Sequence, residues 1–285
     1  MPVITLSCSP DADDLFMVRA LLEGQIDTGP YRFEIGMSPT DALNGLAAGE
    51  AAPDVIALSV AHYPAVAGRF QLLPHGGSLG EGYGPVVVGR RPAPISALRG
   101  ARIGIPGSTT TAWLVLRLLI GSDQPAEPVT ISIVPHAAIF DAVKEGRVDY
   151  GLVIHEGRLT YEEHGMHSIV DIGEWWSTQT DGLPLPLGAN AIRRGLGDEV
   201  IRDVSSLYRR SIQHALTHRD DAIAWLLARA GPLKTAEQVS EYLAMYANQR
   251  TLDYGPAGVR GLRVLFERAV AAGLLAQMPP LDLAP

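Results

Sequence analysis

Short apolar runs alternate with amphipathic stretches over the first two-thirds of the chain, and beyond them the pattern becomes helical throughout. Val3 to Ser9 is apolar and is stopped by Ser9-Pro10, which predicts a buried strand. Asp11, Asp13 and Asp14 follow, and then a helical run, Leu15–Leu22, that ends at Gly24. Tyr31–Ile35 reads as a second strand and Thr40–Ala48 as a short helix closed by Gly49. Asp54–Ser59 is a third strand that runs directly into a helical segment, Val60–Ala67. Strand and helix alternating with short links predict right-handed crossovers and a largely parallel sheet.

Pro85–Gly89 is the next strand, and Arg90-Arg91-Pro92-Ala93-Pro94 breaks the composition as an interdomain crossing would. A second α/β unit follows, with strands at 102–105, 129–134 and 149–154 and helices at 110–120 and 137–145. Ser168–Ile172 adds a strand, and Pro184–Ile192 reads as a return crossing into another. Helices are predicted near 199–218, 220–230, 235–247 and 257–273, ahead of an irregular tail at 279–285. The pattern predicts an α/β fold of two lobes, 1–90 with 188–285 and 91–187, a cleft between them and a helical C-terminal region. No heptad or longer repeat interrupts it.

Composition narrows the partners. With 47% hydrophobic and 19% charged residues over 285 positions, the chain can bury a sizeable core. A net charge of -8 without a basic run excludes nucleic acid as a partner. The single cysteine, Cys8, rules out an internal disulfide and a multi-cysteine zinc site. The first residues lack a basic n-region and a sustained apolar core, and no stretch approaches the roughly 20 apolar residues of a membrane span. A cytoplasmic location is the expectation; nothing in the pattern specifies an oligomeric state.

The chemistry centres on Ile103–Trp113. A strand ends at Pro106-Gly107, and Ser108 and Thr109 read as N-cap residues of an apolar helix from Thr110 to Ile120. Hydroxyls and unpaired backbone N–H groups at a helix start form a seat for a small anion. A Walker lysine is absent, so a carboxylate suits it better than a nucleoside triphosphate. Gly76-Gly77-Ser78-Leu79-Gly80 matches G-x-S-x-G, but more glycines and a strand follow where the nucleophile elbow needs a helix. The glycines read instead as a turn lining the cleft. Helix capping accounts for Asp11, Asp13 and Asp14, because no EF-hand spacing or phosphate motif accompanies them.

His155 follows the 149–154 strand at its carboxyl end, where ligands collect in such sheets. Its neutral imidazole could abstract a proton; equally, the adjacent Glu156 could simply satisfy it. Ser9, Ser59 and His62 also fall at strand ends, each a weak signal alone. His136, His164 and His167 read as structural or solvent-exposed, and Trp175-Trp176 as packing surface. No dinucleotide fingerprint or metal-ligand spacing is present, so neither cofactor nor metal is expected.

Several segments together resemble the menaquinone biosynthesis family of the futalosine pathway, in its 1,4-dihydroxy-6-naphthoate synthase branch. They include Ser9-Pro10-Asp11-Ala12-Asp13-Asp14-Leu15-Phe16, Gly82-Tyr83-Gly84-Pro85 and Ile105-Pro106-Gly107-Ser108-Thr109-Thr110-Thr111-Ala112. Gly151–Tyr161, with its His-Glu-Gly-Arg core, Gly182–Gly188 and Tyr246–Gly255 complete the set in family order. The resemblance implies a periplasmic-binding-protein-like fold of type II and a carbon–carbon lyase that needs no cofactor. It implies cyclic dehypoxanthine futalosine as substrate, a small-molecule carboxylate, with the naphthoate and a sugar-derived fragment as products. It also implies His155 as proton acceptor, and Ala57, Leu58, Ser59, Thr110 and Thr111 as substrate-binding residues. Asp11, Ala12, Asp13, Leu15 and Ala57 depart from the residues some members carry, which bears on substrate preference. Two other readings stay open: a non-enzymatic binding protein on the same scaffold, and the chorismate-dehydrating sister branch.

Overall fold

Residues 1–121, 125–132, 137–229 and 231–285 are described by a computed structural model, and their strands form two sheets. In chain order the strands are β1 (Val3–Cys8), β2 (Arg32–Met37), β3 (Val55–Ser59), β4 (Phe70–Leu72), β5 (Ser78–Gly80) and β6 (Val86–Gly89). There follow β7 (Arg102–Ile105), β8 (Glu127–Thr130), β9 (Tyr150–Val153), β10 (His167–Asp171) and β11 (Leu185–Arg193). The helices are α1 (Ala12–Leu22), α2 (Thr40–Ala48), α3 (Tyr63–Val66), α4 (Thr111–Ile120), α5 (Ala138–Lys144) and α6 (Gly157–Thr160). After them come α7 (Ile172–Gln179), α8 (Asp198–Thr217), α9 (Arg219–Ala228), α10 (Ala236–Tyr246), α11 (Gln249–Leu252) and α12 (Gly255–Ala271).

The first sheet runs β2-β1-β3-β11-β4, with β5 also on β11; the second runs β10-β6-β9-β7-β8. Parallel pairing holds for β2-β1-β3 and for β9-β7-β8. The largely parallel expectation is corrected at two places: β11 is antiparallel to β3, β4 and β5, and β6 to β9 and β10. Both exceptions are the strands that carry the chain from one sheet to the other. Sheet membership changes between β5 and β6, earlier than the residue 90 boundary. It changes back between β10 and β11. The strand expected at 129–134 is β8, whose register on β7 pairs Arg102 with Glu127 and Ile105 with Thr130. Residues 133 and 134, and His136, lie outside the described residues.

Burial follows position in the sheet. Every residue of the interior strand β3 is buried, as its continuous apolar run requires, whereas the edge strand β2 is mostly exposed. α8 shows the amphipathic spacing of a surface helix, burying Ile201, Val204, Leu207, Tyr208, Ile212 and Ala215. α1 is different: Ala12 through Leu21 are all buried, because α8, α9 and α10 pack around it. Its acidic first turn is therefore carried into the interior. No helix among the described residues is long and apolar enough to cross a membrane.

Candidate active site

Parallel strands align their carboxyl ends, and those ends build the site in both sheets. In the first sheet, β1 ends into Ser9-Pro10-Asp11 and β3 ends at Ser59. In the second, β7 ends into the 106–110 turn and β9 into Ile154-His155. Between them lies a cavity that is open to solvent, the usual place for a small-molecule site. Ala57, Leu58, Ser59, Thr110, Thr111 and His155, nominated from the sequence, all line this one cavity. Ser9 lines it as well, whereas His62 does not appear among its walls.

On the α4 side, the hydroxyls are already engaged. Thr110, and not the expected Ser108 or Thr109, is the N-cap: its Oγ1 accepts from Trp113 N at 3.4 Å and donates to Gly107 O at 2.8 Å. Thr111 Oγ1 donates to Leu187 O at 2.6 Å and accepts from Ala61 N at 3.1 Å, tying α4 to the first sheet. Asn44, fully buried on α2, donates to both Ser59 Oγ and Thr109 Oγ1 and takes Ser59 N on its Oδ1. α2 and the turn approach so closely that a Cβ on Gly107 would stand 2.3 Å from Asp41 Oδ1. What the turn retains for a ligand is the pair of first-turn amides of Thr111 and Ala112, which have no partner within the helix. The anion seat is thus amide rather than hydroxyl in character.

On the α1 side the capping account is overturned. Asp11 holds the N-cap position with an extended backbone but makes no side-chain cap hydrogen bond. Its Oδ2 instead stands 2.7 Å from His155 Nδ1. Asp13 accepts from Ser78 Oγ at 2.6 Å and from Tyr242 OH at 3.0 Å; Asp14 accepts from Ser9 N at 2.7 Å. Ser78 sits in β5 with no helix behind it and donates its proton to a carboxylate, which fits no serine nucleophile. Glu156 gives its Oε1 to Ala12 N at 3.0 Å, and the 2.7 Å contact of His155 is made with Asp11.

The electrostatics follow from burying so many acids together. Burial raises Glu156 to about 8, helped by the charge of Asp11, and raises Asp14 to about 7, helped by Asp13. Asp13 is raised for the same reason, against the pull of His155. Burial alone would favour neutral His155, but Asp11, then Asp13 and Glu156, outweigh it and lift the imidazole to about 10. Asp11, His155 and Glu156 offer ligand-type atoms all within 4.8 Å of one another. The 2.7 Å between Nδ1 and Oδ2 is nevertheless a proton-sharing distance. Two ligands about 2.0 Å from a tetrahedral ion would stand roughly 3.3 Å apart.

Sequence reading missed Asp13, Asp14, Tyr242, Tyr246, Asn190 and Arg158, which also line the cavity. Arg158 stands three residues after the nominated histidine, and its guanidinium is held by Gly84 O and Asp171 at 2.6 and 2.5 Å. The acidic cluster was visible but explained by helix ends alone. The tyrosines come from α10, far along the chain, and carry no local signal. Among the other histidines, His164 stacks on Phe140 and His167 begins β10 in an exposed position.

Comparison with known proteins adds to this geometry. A family model for menaquinone biosynthesis matches residues 4–271. A 1,4-dihydroxy-6-naphthoate synthase of Thermus thermophilus is 38% identical over 279 residues, 98% of either chain. One of Streptomyces coelicolor is 35% identical over 282 residues, 99% of this chain and 98% of its own. A solved structure from Archaeoglobus fulgidus superposes with a TM-score of 0.88 at 36% identity, covering 96% of this chain and 98% of that one. An alkanesulfonate-binding protein of Xanthomonas axonopodis, solved with MOPS, superposes at 0.68 with 15% identity, covering 100% and 96%. The latter likeness concerns the fold alone, which is the two-lobed periplasmic-binding-protein fold.

Proposed function

This chain belongs to the menaquinone biosynthesis family, and from that premise we propose that it is the lyase converting cyclic dehypoxanthine futalosine to 1,4-dihydroxy-6-naphthoate. The observation that carries the reading is the meeting of His155 with the α4 start across one cavity. His155, as the neutral ring, takes a proton from the substrate; the electron pair left behind forms a new double bond as the carbon–carbon bond breaks, and the pair of that broken bond passes to an oxygen that becomes an oxyanion. The α4 start suits the substrate carboxylate, since first-turn amides and the helix dipole both favour an anion.

Ala57 and Leu58 give the cavity apolar walls beside Ser59, suited to an aromatic ring. Asp13 and Tyr242 stand ready for the hydroxyls of the sugar-derived portion, because a carboxylate accepts what a hydroxyl donates. In this account the two sheets with their helices act as the two lobes, and the lobe boundary runs through the 81–85 segment.

The test is incubation with cyclic dehypoxanthine futalosine, reading the appearance of the naphthoate chromophore. The purified protein forms it, and His155→Ala loses at least roughly a hundredfold in turnover while still binding the naphthoate. Absence of the chromophore overturns the lyase reading. Unchanged turnover in His155→Ala overturns the assignment of the base.

A further inference from the structure

Two consecutive residues of the β1–α1 turn meet two consecutive residues after β9. His155 Nδ1 lies 2.7 Å from Asp11 Oδ2, and Ala12 N donates to Glu156 Oε1 at 3.0 Å. The contacts join positions 144 residues apart in sequence. They also explain two local oddities. Asp11 forgoes the cap hydrogen bond that its position offers, and His155 adopts a left-handed backbone, with φ of 52°, that a non-glycine residue enters at a cost. Both departures serve one contact.

Resting on the reading of His155 as base, we infer that Asp11 is its positioning residue: its carboxylate fixes the ring and its tautomer. If Nδ1 keeps its proton beside Asp11, Nε2 is the ring nitrogen left to take a proton within the cavity that His155 lines. The Asp11 side chain is 1% exposed and that of His155 is 22% exposed, so the carboxylate is shielded from water while the ring retains access. A buried anion at this distance also makes the imidazole a stronger base. Glu156, next in the chain, gives its Oε1 to Ala12 N, and its charge lifts the ring less than that of Asp11 does. Its role is to hold the two backbones in register.

The charged and titratable groups around the ring are Asp13 and Asp14 from α1, Glu156 and Arg158 from its own segment, and Tyr242 and Tyr246 from α10. Their contributions are common to the parent protein and an Asp11 variant, so a difference between the two isolates the Asp11 charge. The experiment measures kcat and KM against pH for the parent, Asp11→Asn and Asp11→Glu. A ¹⁵N NMR titration of the His155 ring in the same proteins supplies a readout independent of turnover.

Asp11→Asn moves the acid limb of the kcat profile at least roughly one pH unit lower, and the ring pKa falls with it. The plateau drops about tenfold or more, since a weaker base with an unfixed tautomer remains, while KM stays within about twofold. In the parent, the neutral ring carries its proton on Nδ1; Asp11→Glu restores part of the plateau and of the pKa. An unmoved acid limb and ring pKa in Asp11→Asn, even with reduced activity, would mark Asp11 as merely structural and overturn the inference. If His155→Ala keeps full turnover, the base reading fails, and an Asp11-dependent ring pKa would then describe a structural pair rather than a catalytic one.

Discussion

Two turns in this molecule look alike and do opposite things. Each leads from a parallel strand through a proline to a buried helix, at the carboxyl edge of its sheet: β1 through Ser9-Pro10-Asp11 to α1, and β7 through Pro106–Thr110 to α4. Each places a good capping residue at the N-cap. Thr110 caps, accepting from Trp113 N, and leaves the next amides to the cavity. Asp11 does not cap; its carboxylate faces a histidine from the other sheet. One turn presents donors and the other acceptors. The cavity between them is therefore polarised, with amides on the α4 wall and carboxyl groups on the α1 wall, and a substrate that is anionic at one end and hydroxyl-bearing at the other is oriented by that difference.

The largest effect comes from erasing the donor side. Ala112 is buried at the first turn of α4 and lines the cavity. Ala112→Glu would seat its own carboxylate on the amides proposed to hold the substrate's. Charge-assisted hydrogen bonds are worth about 1.5–3 kcal/mol, so KM rises roughly 10- to 150-fold, with folding retained by thermal melt. A KM unchanged by this variant would mean that the α4 start does not hold the substrate, and the contrast between the walls would collapse.

A smaller effect distinguishes the walls by titration. No residue from Pro106 to Thr111 ionises, whereas Asp14 and His155 line the cavity elsewhere and Glu156 is buried next to His155 in the chain. All three bind protons more tightly folded than unfolded: Asp14 rises from 3.8 to about 7, Glu156 from 4.5 to about 8 and His155 from 6.5 to about 10. The His155 contribution is complete below its unfolded value and is lost as pH rises through its folded one. The two acids likewise lose stability as pH rises between their unfolded and folded values. His75, lowered to about 4 by burial, acts with the opposite sign, but only below pH 6.5. Urea midpoints therefore fall from pH 7 to pH 9, and Glu156→Gln flattens the lower half of that decline. A flat or rising profile in the parent protein would contradict the buried acid cluster.

How far the sequence discloses this arrangement depends on whether each partner is local. The α4 turn is legible because a strand, a turn and a cap are settled by neighbours within a few residues, and its amides follow from helix geometry. The α1 turn has the same local grammar, so capping was the economical reading. The competing partner, His155, lies 144 positions away, and nothing within ten residues of Asp11 signals it. The 85–89 strand read as part of the first lobe, and its pairing in the second sheet was not legible for a related reason: an apolar run specifies burial but not which neighbours supply the hydrogen bonds. α7 was missed although Asp171 caps it through Gly173 N and Glu174 N, since its Trp175-Trp176 pair drew attention to packing instead.

The smallest effect decides what the hydroxyl at the α4 turn is for. If Thr110 acts as a cap, Thr110→Ala costs about 1 kcal/mol of folding stability, read from the urea midpoint, and Thr110→Ser recovers most of it. Its Oγ1 already accepts from one amide and donates to one carbonyl, so little capacity is left for a substrate oxygen. The rise in KM should accordingly be well below that of Ala112→Glu. If Thr110→Ala instead matched Ala112→Glu in KM and left the midpoint unmoved, the hydroxyl would be the ligand. Both turns would then have given up their caps to the cavity, and the difference between them would reduce to the sign of the group presented.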